Sequence, residues 1–226
     1  TVGPTAPPGG ATPPVPTSAS RRLLDDVSTG SFYVRYFTPF PAVDPALWTL
    51  TVDGLVSAPR SFSLAEIQAL PLVSQISRLK CVECWSAAAK WGGFRYDSLA
   101  AIVRPAPEAR WVHFRCADGY YESLSIEELR LDRVLFVHRM NDQPLPDDHG
   151  APLRMIVPFK YGYKGAKAIT HLSFENGQLR GYWPAVGGYN VNGNVQEGWD
   201  HPLDLPGTRR IDGDETRYPD GTEANG

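Results

Sequence analysis

Short capped helices set among short strand patterns limit the folds open to this chain. The segments Ser63–Glu66 and Ser125–Glu128 are capping boxes, in which a serine and a glutamate three residues apart satisfy the first amides of a helix. A third helical face is predicted from the spacing of Tyr96, Leu99, Ala100 and Val103. Strands are predicted at residues 47–56, 76–79, 111–116, 134–140, 153–157 and 168–174. Because helices and strands do not alternate strictly, we expect a mixed α+β domain rather than a doubly wound sheet.

Composition divides the chain into three parts. Residues 1–20 are rich in Pro, Gly, Ser and Thr and contain no charged residue, which predicts a flexible tether. Residues 21–200 form the predicted domain, and residues 201–226, rich in Asp, Gly and Pro, are interpreted as an extended wrap or tail. Such a tether, with no hydrophobic leader before it, favours the mature form of an exported, periplasmic protein.

Several classes of protein are disfavoured by composition. The net charge of −3 gives no basic surface for nucleic acid. No apolar run reaches the roughly 18 residues that a membrane-spanning helix needs. Three cysteines cannot all pair with each other, so this is not a disulfide scaffold.

The most distinctive segment is Lys80–Ser86, followed closely by Trp91–Phe94. Cys81 ends a predicted strand, with a cation before it and tryptophans after it, which suits a soft metal ligand or a nucleophile. Three other interpretations stay open at this point. Cys81 could be a small buried hydrophobic residue, one thiol of a redox pair with Cys84, or part of a zinc site. A redox pair lacks the expected βαβ surroundings, and a zinc site lacks a second ligand pair.

A lysine-rich loop supplies a second candidate site. Lys160, Lys164 and Lys167 alternate with Gly162 and Gly165. Cations between tight glycine turns suit a phosphate group, although runs of this kind also occur as solvated basic loops.

Taken together, these segments resemble the sulfite oxidase superfamily of molybdenum enzymes. The pattern Cys-Val-Glu-x-Trp-Ser with Trp-x-Gly-Phe downstream is similar to that family's metal-binding segment, and residues 141–145 and 149–167 are similar to its central signature. Weaker similarities lie at residues 51–64 and 32–35. The resemblance extends in family order over about residues 30–200. It is strongest to the bacterial periplasmic branch typified by the catalytic subunit of protein-methionine-sulfoxide reductase.

The resemblance implies a mixed-sheet, sulfite-oxidase-type domain that binds one molybdenum–molybdopterin cofactor. It makes Cys81 the thiolate ligand of the metal, Tyr121 a hydrogen-bond donor near it, and Arg35 a catalytic-loop residue that supports the cofactor. Arg35 matches an arginine that binds the oxyanion in sulfite oxidases, but Tyr36 and Phe37 depart from their pattern. The implied cofactor-binding residues are Tyr33, Val34, Cys116, Asp118, His149, Arg154, Gly165, Ala166 and Lys167.

The implied activity is oxygen-atom transfer. We expect reduction of S-oxides or related oxides, with a small-molecule or protein sulfoxide as substrate. The electrons are expected from a separate haem-containing protein, either a membrane subunit or a soluble cytochrome, because the sequence carries no haem motif. Arg35, Asp118 and His149 favour an alternative, a sulfite-oxidising dehydrogenase. A third hypothesis is a cofactor-free binding module with the same fold.

Overall fold

The computed structural model describes residues 32, 34, 43–82 and 86–195, and the backbone of residues 199–200, 209–210 and 216–217. The strands are β1 (Thr49–Gly54), β2 (Arg60–Ser63), β3 (Val73–Lys80), β4 (Ser86–Phe94), β5 (Trp111–Cys116), β6 (Tyr121–Ser125), β7 (Leu135–Met140), β8 (Gln143–Pro144), β9 (Arg154–Ile156), β10 (Ile169–Glu175), β11 (Trp199–Asp200), β12 (Arg209–Arg210) and β13 (Thr216–Arg217). The α-helices are α1 (Leu64–Gln68), α2 (Tyr96–Val103), α3 (Ile126–Leu129) and α4 (Tyr182–Val186), with 3₁₀ turns at Asp147–His149 and Gly162–Lys164. The predicted tether lies outside these residues, and the domain boundaries stay a prediction.

One sheet has five strands in the order β2-β1-β10-β5-β6. Strands β1 and β10 are parallel, and the other neighbours are antiparallel. Alternate residues such as Val52, Phe114 and Leu172 are fully buried, as expected for a sheet with one face on the core. Helix α2 packs on that core through Leu99 and Val103. The predicted mixed α+β fold is therefore confirmed.

The second sheet has the order β13-β3-β4-β7-β8, with β9 paired to the other part of β7. Its long central strand β4 was not predicted, because Ala87–Ala89 and the glycines that follow are poor strand formers. At Gly93 in β4, only glycine fits. A Cβ there would lie 1.9 Å from the Phe136 carbonyl oxygen, beside the register shift between Gly92 and Gly93. Strand β6 was also missed.

Both capping boxes form as predicted. The Ser63 hydroxyl accepts a hydrogen bond from the Glu66 amide, and the Glu66 carboxylate accepts one from the Ser63 amide at 2.8 Å. Ser125 and Glu128 make the same reciprocal pair at the start of α3. No helix in the described part of the chain is long and apolar enough to cross a membrane.

Candidate cofactor-binding site

The segment 165–169 crosses between the two sheets. On one side, the Met155 amide of β9 donates to the Ala166 carbonyl at 2.8 Å. On the other, the Ala117 amide just after β5 donates to the Ala168 carbonyl at 2.9 Å. Ala168 has a positive φ of 49°, a conformation that costs most non-glycine residues about 1 kcal/mol or more. A strained turn thus fixes Lys167 at the junction of the two sheets.

Two cations meet at this junction. Arg154 is 4% exposed, its guanidinium carbon lies 5.2 Å from the centre of the Trp91 ring, and it donates to the His149 carbonyl at 2.8 Å. Burial lowers the pKa of Arg154 from 12.5 to about 10. Burial, and then the charge of Arg154, lowers the pKa of Lys167 from 10.5 to about 7. Two desolvated cations side by side form a site that favours an anion.

Glycine backbone lines the same place. Gly150 has φ +100°, and a Cβ there would lie 2.6 Å from the Lys167 Cβ. A Cβ on Gly165 would lie 3.0 Å from the Met155 carbonyl oxygen and 3.9 Å from Arg154 Nη2. The missing Cβ atoms let the backbone at both glycines pack closely against Lys167 and Met155, beside the cations.

His149 and Phe32 close one side of the cations. The Phe32 ring lies edge-on to both Trp91, at 5.9 Å, and His149, at 5.5 Å. Burial, and then the charges of Arg154 and Lys167, lowers the pKa of His149 from 6.5 to about 4. The imidazole is therefore neutral at pH 7 and retains one donor and one acceptor nitrogen.

Cys116 and Asp118 lie on another side. Burial, and then the charge of Asp118, raises the pKa of the Cys116 thiol, and the Lys167 backbone amide hydrogen-bonds to its sulfur. The Asp118 carboxylate accepts from the Tyr120 amide at 3.0 Å in a tight turn. A neutral, buried thiol is a poor nucleophile. Its proximity to Lys167 instead suits contact with a bound ligand.

Cys81 follows the last residue of β3 and is half-buried. The preceding Lys80 forms a parallel bridge with Tyr161, and a Cβ on Gly162 would lie 3.3 Å from the Lys80 carbonyl oxygen. This bridge attaches the Cys81 end of the strand to the loop that leads to Gly165 and Lys167. In the described part of the chain, no group of three or more His, Cys, Asp or Glu residues could hold a metal ion.

The remaining predicted site residues are Tyr33, Val34, Arg35 and Tyr121. The Tyr121 ring contacts Tyr182 edge-on at 6.0 Å, and its place near the metal stays a prediction. Val34 is half-buried. Tyr33, Arg35 and Cys84 lie outside the described residues.

The structure corrects the interpretation of the lysine-rich loop. The Lys160 ammonium lies 2.7 Å from Glu128, and that of Lys164 lies 2.5 Å from Glu122. Both side chains are 1% exposed. Only Lys167 lies beside Arg154, so the prediction that all three lysines serve the phosphate end is wrong for Lys160 and Lys164. No sequence signal pointed to these two ion pairs, because each glutamate lies far along the chain from its lysine.

The residues fit an anionic pterin cofactor. Arg154 forms no ion pair with any described residue, and its buried Nε lacks a hydrogen-bond partner among them. A buried guanidinium with an unused donor is costly unless a ligand accepts its hydrogen bond. Lys167, His149 and the glycine backbone supply further polar contacts around it.

Comparisons with known proteins agree with this chemistry. Residues 37–183 match the family described as the oxidoreductase molybdopterin binding domain. The catalytic subunit of protein-methionine-sulfoxide reductase from Ralstonia nicotianae is 34% identical over 208 residues, covering 84% of this chain and 61% of that protein. The corresponding subunit from Pseudomonas syringae is 30% identical over 175 residues, covering 69% of this chain and 52% of that protein.

A putative protein-methionine-sulfoxide reductase subunit from Azospira oryzae is 38% identical over 148 residues, covering 66% of this chain and 56% of that protein. The chain thus spans little more than half the length of these relatives. Among solved structures, the sulfane dehydrogenase SoxCD from Paracoccus pantotrophus matches with a TM-score of 0.62 at 19% identity, covering 66% of this chain and 43% of that chain. This likeness concerns the fold and confirms the predicted sulfite-oxidase-type domain.

Proposed function

Since the chain belongs to the family of oxidoreductase molybdopterin-binding domains, we propose that it is a molybdenum-dependent enzyme that reduces S-oxides to sulfides. The observation that carries this proposal is the anion site at the sheet junction, where buried Arg154 and half-buried Lys167 meet the backbone of Gly150 and Gly165. The bridge between Lys80 and Tyr161 attaches Cys81 to that site.

Different residues would bind different parts of the cofactor. Arg154 and Lys167 hold the anionic end of the cofactor by charge-assisted hydrogen bonds. Neutral His149 offers a hydrogen bond to the pterin, and Cys81 supplies the thiolate. When bound, the cofactor supplies a metal that exchanges an oxygen atom with the substrate in a two-electron reaction.

The reaction also needs protons and a hydrogen-bond donor for the substrate oxygen. Reduction of an S-oxide consumes two electrons and two protons and releases water. We propose that the Tyr121 hydroxyl donates a hydrogen bond to the substrate oxygen, which has partial negative charge and needs a donor rather than a cation. Arg35 is proposed to support the cofactor loop rather than to bind the substrate.

The setting is proposed from the relatives. The names of two relatives describe a catalytic subunit, which supports a separate partner for electrons. We propose that this partner is a haem protein and that the enzyme acts in the periplasm. The alternative is a sulfite-oxidising dehydrogenase, which the presence of His149 and Asp118 around Lys167 favours.

Kinetics with two substrates tests the choice. The specificity constants for methionine sulfoxide reduction and for sulfite oxidation are measured with wild type and with Arg35→Gln. We expect wild type to prefer the neutral sulfoxide, and we expect the mutant to lose cofactor content rather than substrate affinity. Efficient sulfite oxidation that falls by about a hundredfold in the mutant, roughly 3 kcal/mol, would favour the alternative. A protein purified without metal or pterin would favour the cofactor-free module.

A further inference from the structure

The segment 190–195 carries no charged residue, yet two buried ammonium groups hold it. Lys164 Nζ donates to the Val191 carbonyl at 2.9 Å. Lys160 Nζ donates to the Asn192 carbonyl at 2.7 Å. Lys160 Nζ also donates to Asn194 Oδ1 at 2.6 Å, so Lys164 makes one hydrogen bond to this segment and Lys160 makes two. Each ammonium also pairs with a carboxylate elsewhere.

The carboxylates come from β6 and α3. Glu122, which is 0% exposed, takes the Lys164 ammonium at 2.5 Å, and Glu128 takes the Lys160 ammonium at 2.7 Å. Burial raises the pKa of Glu122 and lowers that of Lys164. Both directions show that desolvation opposes the charges. Replacing a buried ion pair with apolar residues of similar size is often neutral or stabilising, so the Glu122–Lys164 pair is better explained by the geometry that it imposes than by stability.

Backbone hydrogen bonds attach the same segment to the loop that begins at Phe159. The Tyr161 amide donates to the Gly193 carbonyl at 2.8 Å, and the Val195 amide donates to the Phe159 carbonyl at 2.9 Å. Gly193 has φ +63°, and a Cβ there would lie 2.7 Å from Lys164 Cγ. The segment is thus tightly packed against Lys164, with no room for a larger residue.

This loop leads to both parts of the candidate site. Tyr161 pairs with Lys80, the residue before Cys81, and Lys164 is followed by Gly165 beside Arg154. We propose that Glu122, Lys160 and Lys164, which are buried, and Glu128, which is partly exposed, form a clamp that positions segment 190–195 and, through it, the backbone beside Cys81. They are positioning residues. The proposal rests on the proposed function only in taking Cys81 as the metal ligand.

The clamp is tested with the full chain purified with its cofactor, in three variants. Lys164→Met removes the hydrogen bond to Val191, and Glu122→Gln with Lys164→Met removes both charges, so that no unpaired charge is left to unfold the protein. Gly193→Ala loosens the segment from the opposite side without changing charge. Lys90→Met is the matched control, because Lys90 pairs with exposed Asp142 on the surface.

Two readouts separate positioning from general stability. Hydrogen exchange at the Tyr161 and Val195 amides should accelerate about tenfold or more in the double variant and in Gly193→Ala, while the Leu172 amide of β10 should keep its wild-type rate. The thiolate-to-metal absorption should shift in the same variants. The control should change neither readout.

Two outcomes would overturn the clamp. One is wild-type exchange at Tyr161 and Val195 in the double variant and in Gly193→Ala. The other is exchange that accelerates equally in β10, which is the result of general destabilisation. A wild type without thiolate-to-metal absorption would refute the proposed function instead, and the exchange data would still decide on the clamp.

Discussion

Lys167 should make the cofactor-free protein less stable at neutral pH than at alkaline pH. Its pKa falls from 10.5 to about 7 in the folded chain, mainly through burial. Between these values the unfolded chain binds a proton that the folded chain lacks, so stability rises with pH over that range and the full cost is present below about pH 7. We expect Lys167→Met, which removes the charge and keeps the volume, to stabilise the cofactor-free protein at neutral pH.

The size of the effect follows from the pKa. One pH unit of difference between the two states is worth about 1.4 kcal/mol, so a fall from 10.5 to about 7 gives an upper limit near 5 kcal/mol. Because the side chain is partly exposed, solvent screening reduces this, and we expect about 2 to 3 kcal/mol. An anion bound beside Lys167 should restore the proton, so inorganic phosphate should stabilise wild type more than the mutant.

Urea unfolding of both proteins between about pH 6 and pH 10 measures the difference. The comparison isolates Lys167, because Cys116, whose thiol pKa is raised by burial, titrates in both proteins. Lys90→Met serves as a surface control. Equal pH profiles for wild type and Lys167→Met would show that Lys167 carries no desolvation cost, and equal stabilisation by phosphate would show that the anion does not bind beside it.

Three further predictions concern the same region. Arg154→Met should leave the fold intact, since it removes an unpaired buried charge, and should lower the pterin content of purified protein; full pterin content would contradict the role of Arg154. Gly150→Ala should destabilise the chain by about 1 to 3 kcal/mol in urea unfolding, because φ is +100° and the added Cβ would lie 2.6 Å from the Lys167 Cβ. An unchanged unfolding midpoint would contradict this prediction. Acidification below about pH 6.5 should destabilise wild type more than His149→Gln. The pKa of His149 is about 4 in the folded chain, so the unfolded chain takes up the proton first. Parallel acid-unfolding curves would show that the pKa of His149 is not lowered.

Local signals explain which parts of the fold could be predicted. Ser63 and Ser125 each form a capping box with a glutamate three residues later, and buried and more exposed residues alternate along β5. These elements therefore form where the sequence predicts them. Strand β4 depends on partners elsewhere. Its alanines and glycines have little strand preference, and Gly93 is required only because Phe136 lies against it.

The candidate site, like the fold, contains both residues that the sequence predicted and contacts that it did not. Family resemblance led to Arg154, His149 and Lys167, and the structure brings these residues together. Family resemblance could not show that Lys160 and Lys164 form ion pairs with carboxylates, because those pairs join distant parts of the chain. The strained φ at Ala168 was also hidden, since alanine gives no turn signal.

Cys81 is proposed to bind a molybdenum held by a pterin. The direct measurement is the molybdenum and pterin content of purified wild type and Cys81→Ala, together with the thiolate-to-metal absorption. We expect equal amounts of metal and pterin in wild type, loss of the absorption in Cys81→Ala with the fold intact, and a far milder effect of Cys84→Ala. A wild type without pterin would show that the chain is not a molybdopterin enzyme, and a Cys81→Ala protein that keeps the absorption and full activity would show that Cys81 does not bind the metal.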